Sequence, residues 1–142
     1  MHLRSLAEAP FASVLAPWNH CLAAAFPEYA DDMAMLRELC ATQGVAVQTI
    51  KALARGRWPD PTEPHFSWYE PIGGPEARRR AIEFVLAEPD LFLNTSSDAR
   101  LLTETLEVAS GPRRAPTPAD LAADRKAEGI TPLFDGAELE RI

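Results

Sequence analysis

Apolar residues along this chain fall into short runs and into helical stripes, and the two patterns alternate. Val14, Leu15 and Ala16 open the segment Ser13–Asn19, which Pro17 and Asn19 close. A short apolar run bounded in this way reads as a buried strand. Across Pro27–Gln43 the apolar positions Tyr29, Met33, Leu36 and Cys40 recur at steps of four, three and four, the spacing of one helix face. Gly44 follows in the position of a helix stop. Val45–Ala52, rich in β-branched residues and too short for a helix of its own, predicts a second strand.

Residues 55–75 carry Pro59, Pro61, Pro64, Pro71 and Pro75 together with Gly56, Gly73 and Gly74, so no regular element is expected to persist there. Pro75 suits the first position of a helix. Ala77, Ala81, Phe84, Val85 and Glu88 sketch its inward stripe, with Arg78, Arg79 and Glu83 opposite. Leu91–Asn94 reads as a third strand. Asp98 is an N-cap candidate for a third helix marked by Leu101, Leu102, Thr105, Leu106 and Ala109 and ended by Gly111 and Pro112. The order β-α-β-α-β-α predicts an α/β fold of parallel strands joined by right-handed crossovers. Thr117 to Asp120 then has the form of a capped helix start, running to Gly129, with Ile130, Leu133 and Phe134 available to dock a tail. Residues 1–112 are thus expected as the α/β unit and residues 113–142 as a C-terminal tail with a short helix.

Composition narrows the function without choosing it. The chain has 142 residues, a formal charge of −7 and 46% hydrophobic residues, the make-up of one soluble domain. An acidic balance argues against nonspecific binding to nucleic acid or to an anionic membrane, because counterion release needs clustered cations. Arginines cluster only at Arg78–Arg80 and at Arg113 and Arg114. Cys21 and Cys40 form no CxxC pair and the histidines are scattered, which leaves neither a disulfide framework nor a zinc site in view. Both cysteines read as small core residues. No apolar run reaches the ~20 residues of a membrane span, and the first 25 residues lack a signal-peptide pattern. A cytoplasmic protein is expected.

Parallel α/β folds bind ligands at the carboxyl ends of their strands. The segments in that position are Pro17–Asn19, Ile50–Gly56 and Asn94–Arg100. The last offers hydroxyls and free backbone N–H groups at a helix start, with Arg100 one turn in, and so reads as an anion cradle. Read from the residues alone, the simpler account comes first: an ordinary helix cap, which any such junction needs.

Taken together, these three segments resemble the C-terminal part of the aldo/keto reductases, NADPH-dependent oxidoreductases built on an eight-stranded (β/α)8 TIM barrel. The resemblance spans residues 5 to 110. Ala16-Pro17-Trp18-Asn19 resembles the end of the sixth barrel strand, and Gly44–Gly56 the seventh strand with its cofactor loop. Leu93–Arg100 resembles the eighth strand and its phosphate-binding turn. The resemblance therefore implies a partial barrel of three βα units. It places Ile50 on the nicotinamide face, where the family often has an aromatic ring, and Lys51, Ala52, Leu53 and Arg55 along the pyrophosphate. It places Thr95 and Ser96 at the adenosine-side phosphate, Arg100 at the ribose 2′-phosphate or adenine, and Glu104 at the adenine edge. The family's catalytic Asp, Tyr, Lys and His come from strands before the sixth. The resemblance accordingly implies no catalytic residue in this chain, weak NADPH binding and no carbonyl reduction by the chain alone. Tyr69 and His65 lie in the proline-rich loop, outside any family motif, and with Trp58, Phe66 and Trp68 read as packing residues of a lid or of a contact with a neighbour. The other reading is a non-catalytic α/β module that self-associates, or docks on a partner, through the exposed edges of its first and last strands.

Overall fold

The computed structural model describes residues 5, 6, 8–112 and 114–134. Three parallel strands form the central sheet in spatial order β1 (Ser13–Pro17), β2 (Ala46–Ile50) and β5 (Leu91–Leu93). Val14 pairs with Val47 and Val47 with Leu91, which fixes the register across all three. Between the strands lie α1 (His20–Ala25), α2 (Pro27–Gln43) and α3 (Pro75–Leu86). After β5 come a 3-10 turn (Ala99–Leu101), α4 (Leu102–Ser110) and α5 (Pro118–Glu128). The class is mixed α/β with parallel strands, as the periodicity predicts.

Most element ends follow the local signals. Gly44 closes α2 at φ 68°, a left-handed conformation in which a Cβ would be strained. Thr117 caps α5 by accepting the Asp120 N–H, and Gly129 ends that helix at φ 64°.

Three expectations need correction. The stretch 55–75 is not free of regular structure: β3 (Ala54–Gly56) and β4 (Glu70–Pro71) pair antiparallel with a register irregularity between Ala54 and Gly56. Strands this short carry no propensity signal, and the pairing is held instead by packing of Ala54, Tyr69 and Leu133. Pro71 is tolerated because this ribbon is all edge. The second correction is α1, a helix of six residues missing from the expected order. Asn19 initiates it by accepting the Leu22 N–H at 2.8 Å. Glu83, expected on the outer face of α3, is buried and bound to Arg79, while Ile82 joins the core instead.

The packing is one-sided. Val14, Ala16, Val47 and Leu91 share a cluster with Met33, Leu36 and Cys40 of α2 and with Val85 of α3, so both helices cover the same face of the sheet. The opposite face presents Leu15, Gln48 and Phe92 in register, and Leu15 is 47% and Phe92 60% exposed. Polar groups on that face satisfy one another: the Gln48 amide donates to Ser13 Oγ and accepts from Asn94 Nδ2. Beyond α3, a second cluster joins Cys21, Leu53, Ile72, Ala77, Ala81, Ile82 and Ile130. Thus α5 and the segment after it are docked on the body.

Candidate functional site

The carboxyl ends of β1, β2 and β5 lie side by side and are tied together by backbone and side-chain contacts. Trp18 N donates to the Ile50 carbonyl and Asn94 N to the Thr49 carbonyl, which extends the sheet just past each strand end. Asn19 has a double role. Besides capping α1, its Nδ2 donates to the Lys51 carbonyl at 3.0 Å. Lys51 is the only described residue other than glycine with positive φ, at 72°. A lysine held there is locally strained, a state that persists where surrounding contacts over-determine the backbone. The Asn19 bond and the Ala54 N–H, which also donates to the Lys51 carbonyl at 3.1 Å, are those contacts.

The Lys51 side chain is half-buried. Its Nζ lies 4.2 Å from the ring centroid of Trp68 and 5.3 Å from that of Tyr69. Burial pulls its ammonium pKa downward. Tyr69 is buried and its hydroxyl donates to Ser96 Oγ at 3.0 Å. Burial pushes that phenol upward, partly offset by the bond to Ser96. Ser97 Oγ donates to the Phe66 carbonyl, and the Phe66 ring lies 4.0 Å from the Arg100 guanidinium. The proline-rich loop therefore crosses from the end of β2 to the turn after β5, with aromatic side chains making the contacts.

At that turn the capping geometry is explicit. Asp98, buried, accepts the Arg100 N–H at 3.1 Å and binds the Arg100 guanidinium through both carboxylate oxygens, at 2.8 and 2.7 Å. The guanidinium holds the Asp98 carboxyl below the usual range. Ser96 Oγ accepts the Asp98 N–H as well as the Tyr69 hydroxyl.

The residues singled out in sequence do not form one cluster. Ile50, Lys51, Thr95 and Ser96 lie at the strand ends, while Ala52 and Leu53 are buried in two different core clusters. Arg55 turns away: its Nε donates to the Glu128 carbonyl and NH1 to Glu70. Glu104 is bound by Arg78 at 2.7 Å, and Arg78 also donates to the carbonyls of Ile72 and Gly73. Arg79 and Arg80 are likewise paired, Arg79 with Glu76 and Glu83 and Arg80 with Asp124, so each of the three clustered arginines faces a carboxylate. Arg113 lies outside the described residues. What the sequence left out is the reach of Trp68, Tyr69 and Phe66 onto Lys51, Ser96 and Arg100. Their aromatic character was visible in the loop, but nothing local says where the 13 residues between β3 and β4 will land.

Among the described residues no group of three His, Cys, Asp or Glu side chains is placed to hold a metal ion, and no helix is long and apolar enough to cross a membrane. No protein-family model matches the chain, and neither characterised proteins nor solved structures yield a significant match.

Proposed function

We propose that this chain is the C-terminal portion of an aldo/keto reductase barrel, contributing βα units six to eight and the phosphate side of a nicotinamide cofactor site, with the catalytic Asp, Tyr, Lys and His outside it. One observation carries the reading: the sheet is wound on one side only. Doubly wound α/β proteins cover both faces of a parallel sheet with helices, whereas in a (β/α)8 barrel every helix is outside and the inner face is filled by strands from across the barrel. The uncovered row Leu15, Gln48, Phe92 has the placement of such an inner face. Lys51, Thr95 and Ser96 then stand at the carboxyl rim, where barrel sites lie.

Calorimetric titration of the chain with NADPH and NADH at low salt tests the reading, with weak saturable binding expected and hydride transfer to an aldehyde at the uncatalysed rate. Negligible heats for both nucleotides refute it.

The second reading, a module that self-associates or docks on a partner, is favoured by the same uncovered face and by Leu102 and Leu106 exposed one turn apart on α4. Sedimentation that shows a defined oligomer, with no nucleotide heat, selects it.

A further inference from the structure

The proline-rich loop carries a cavity whose chemistry stands independently of the cofactor reading above. Arg57, Trp58, Glu63, Phe66 and Trp68 are among the residues that line about 560 Å³ of space, the size of a small-molecule site. Its walls are fixed from within the loop. Trp58 stacks on His65 with ring centroids 3.7 Å apart, and its Nε1 donates to the Ser67 carbonyl at 2.7 Å. Asp60 accepts from the Thr62 N–H and hydroxyl, and Ser97 Oγ ties the Phe66 carbonyl to the turn after β5. A loop bonded this closely nevertheless leaves Phe66 64% and Trp68 49% exposed. Rings already held in place lose little conformational freedom when a flat ligand stacks on them.

Charge narrows the ligand. Arg37, Arg55, Arg78, Arg79, Arg80 and Arg100 each face a carboxylate, whereas Arg57 is exposed and has no hydrogen-bond or ion-pair partner among the described residues. Its planar fork matches a carboxylate through two parallel bonds. A cationic ligand is disfavoured, because Phe66 and Trp68 already carry the Arg100 guanidinium and the Lys51 ammonium over their rings, at 4.0 and 4.2 Å. The Glu63 carboxylate in the same wall repels a second negative charge, which sets a monoanion apart from a phosphate dianion or a polyphosphate. We propose that this cavity binds a planar aromatic monocarboxylate, its ring against Phe66 and Trp68 and its carboxylate on Arg57.

The full chain is titrated by calorimetry at neutral pH with trans-cinnamate and, in parallel, with methyl cinnamate, 3-cyclohexylpropanoate, phenyl phosphate and cellobiose. Cinnamate should bind saturably, with the uncharged ester about tenfold weaker for want of the ion pair and the saturated acid about threefold weaker for want of stacking. Arg57→Gln should weaken cinnamate about tenfold and leave the ester unchanged, while Glu63→Gln should tighten phenyl phosphate more than cinnamate. The absence of saturable cinnamate heat overturns the proposal, as does tighter binding of cellobiose or phenyl phosphate, or wild-type affinity in Arg57→Gln. The ranking of ligands on the unaltered chain decides the matter even if a variant does not fold, and either result leaves the cofactor reading to its own titration.

Discussion

Alternate residues of the same three strands build two faces with opposite fates. On one, Val14, Ala16, Val47, Thr49 and Leu91 are buried beneath α2 and α3. On the other, Leu15 and Phe92 stand open beside a Gln48 whose amide is satisfied within the chain. Covering one exposed Phe or Leu contributes about 1.5–3 kcal/mol, so the open face holds stability that this chain does not realise alone. Because its polar groups are already hydrogen-bonded, that face can be covered without the cost of stranding a donor or acceptor. The contrast separates residues that hold the sheet to its helices from residues that the described structure leaves uncovered.

The sharpest way to break this contrast is to delete matched apolar groups on either side of it. Ile82→Ala, on the buried face of α3, should lower unfolding free energy by about 2–5 kcal/mol, measured by urea denaturation. Phe92→Ser should change it by less than about 0.5 kcal/mol at high dilution. If instead the Phe92→Ser cost grows with protein concentration, the open face is covered in solution by a second copy.

The next effect is expected from pH. His20 is buried, and burial together with the neighbouring Arg125, whose guanidinium donates to His20 Nδ1, lowers its pKa from 6.5 to about 4. Its folded value is depressed, so below pH 6.5 the unfolded chain binds a proton that the folded chain refuses. Stability should therefore fall between pH 6.5 and 4, by up to about 3 kcal/mol, and a His20→Gln variant should lose that slope in a urea series. The carboxylates act lower. Arg37, Arg80 and Arg100 hold Asp90, Asp124 and Asp98 below the usual range, so their contribution is fully present above about pH 4 and is lost only as pH falls further.

A smaller effect tests the turn after β5. Asp98→Ala removes the acceptor for the Arg100 N–H and should cost about 1 kcal/mol. Arg100→Lys keeps a charge near Asp98 and should cost less than Asp98→Ala, since the outer partner is exposed. An Asp98→Ala chain as stable as wild type would show that the turn is held by Tyr69 and Ser96 instead.

Where a structural feature is set by neighbours in sequence, it was legible. The four–three–four spacing of Tyr29, Met33, Leu36 and Cys40 and the glycine after it define α2 closely. Asp98 and Thr117 cap as their residue types lead one to expect. The fates of Arg55, Glu104 and Arg100 were not legible, because each is decided by a partner's placement: Glu70 and the Glu128 carbonyl, Arg78, and the buried carboxylate of Asp98. Nor was the landing of the aromatic loop, since Trp68 meets Lys51 through a fold of the chain that no short pattern encodes.

Helix α3 has no side-chain cap of its own; Gly74 stands at its N-cap. The N–H groups of Gly73 and Gly74 donate instead to Glu128 at 3.2 and 3.0 Å, and any side chain at position 74 would collide with that carboxylate. The two partners are 54 residues apart, so on the ribosome the first turn of α3 waits about 3–11 seconds for its acceptor to be synthesised, at the usual ~5–20 residues per second. In a chain read from its amino end, the start of an internal helix is thus among the last parts to be completed.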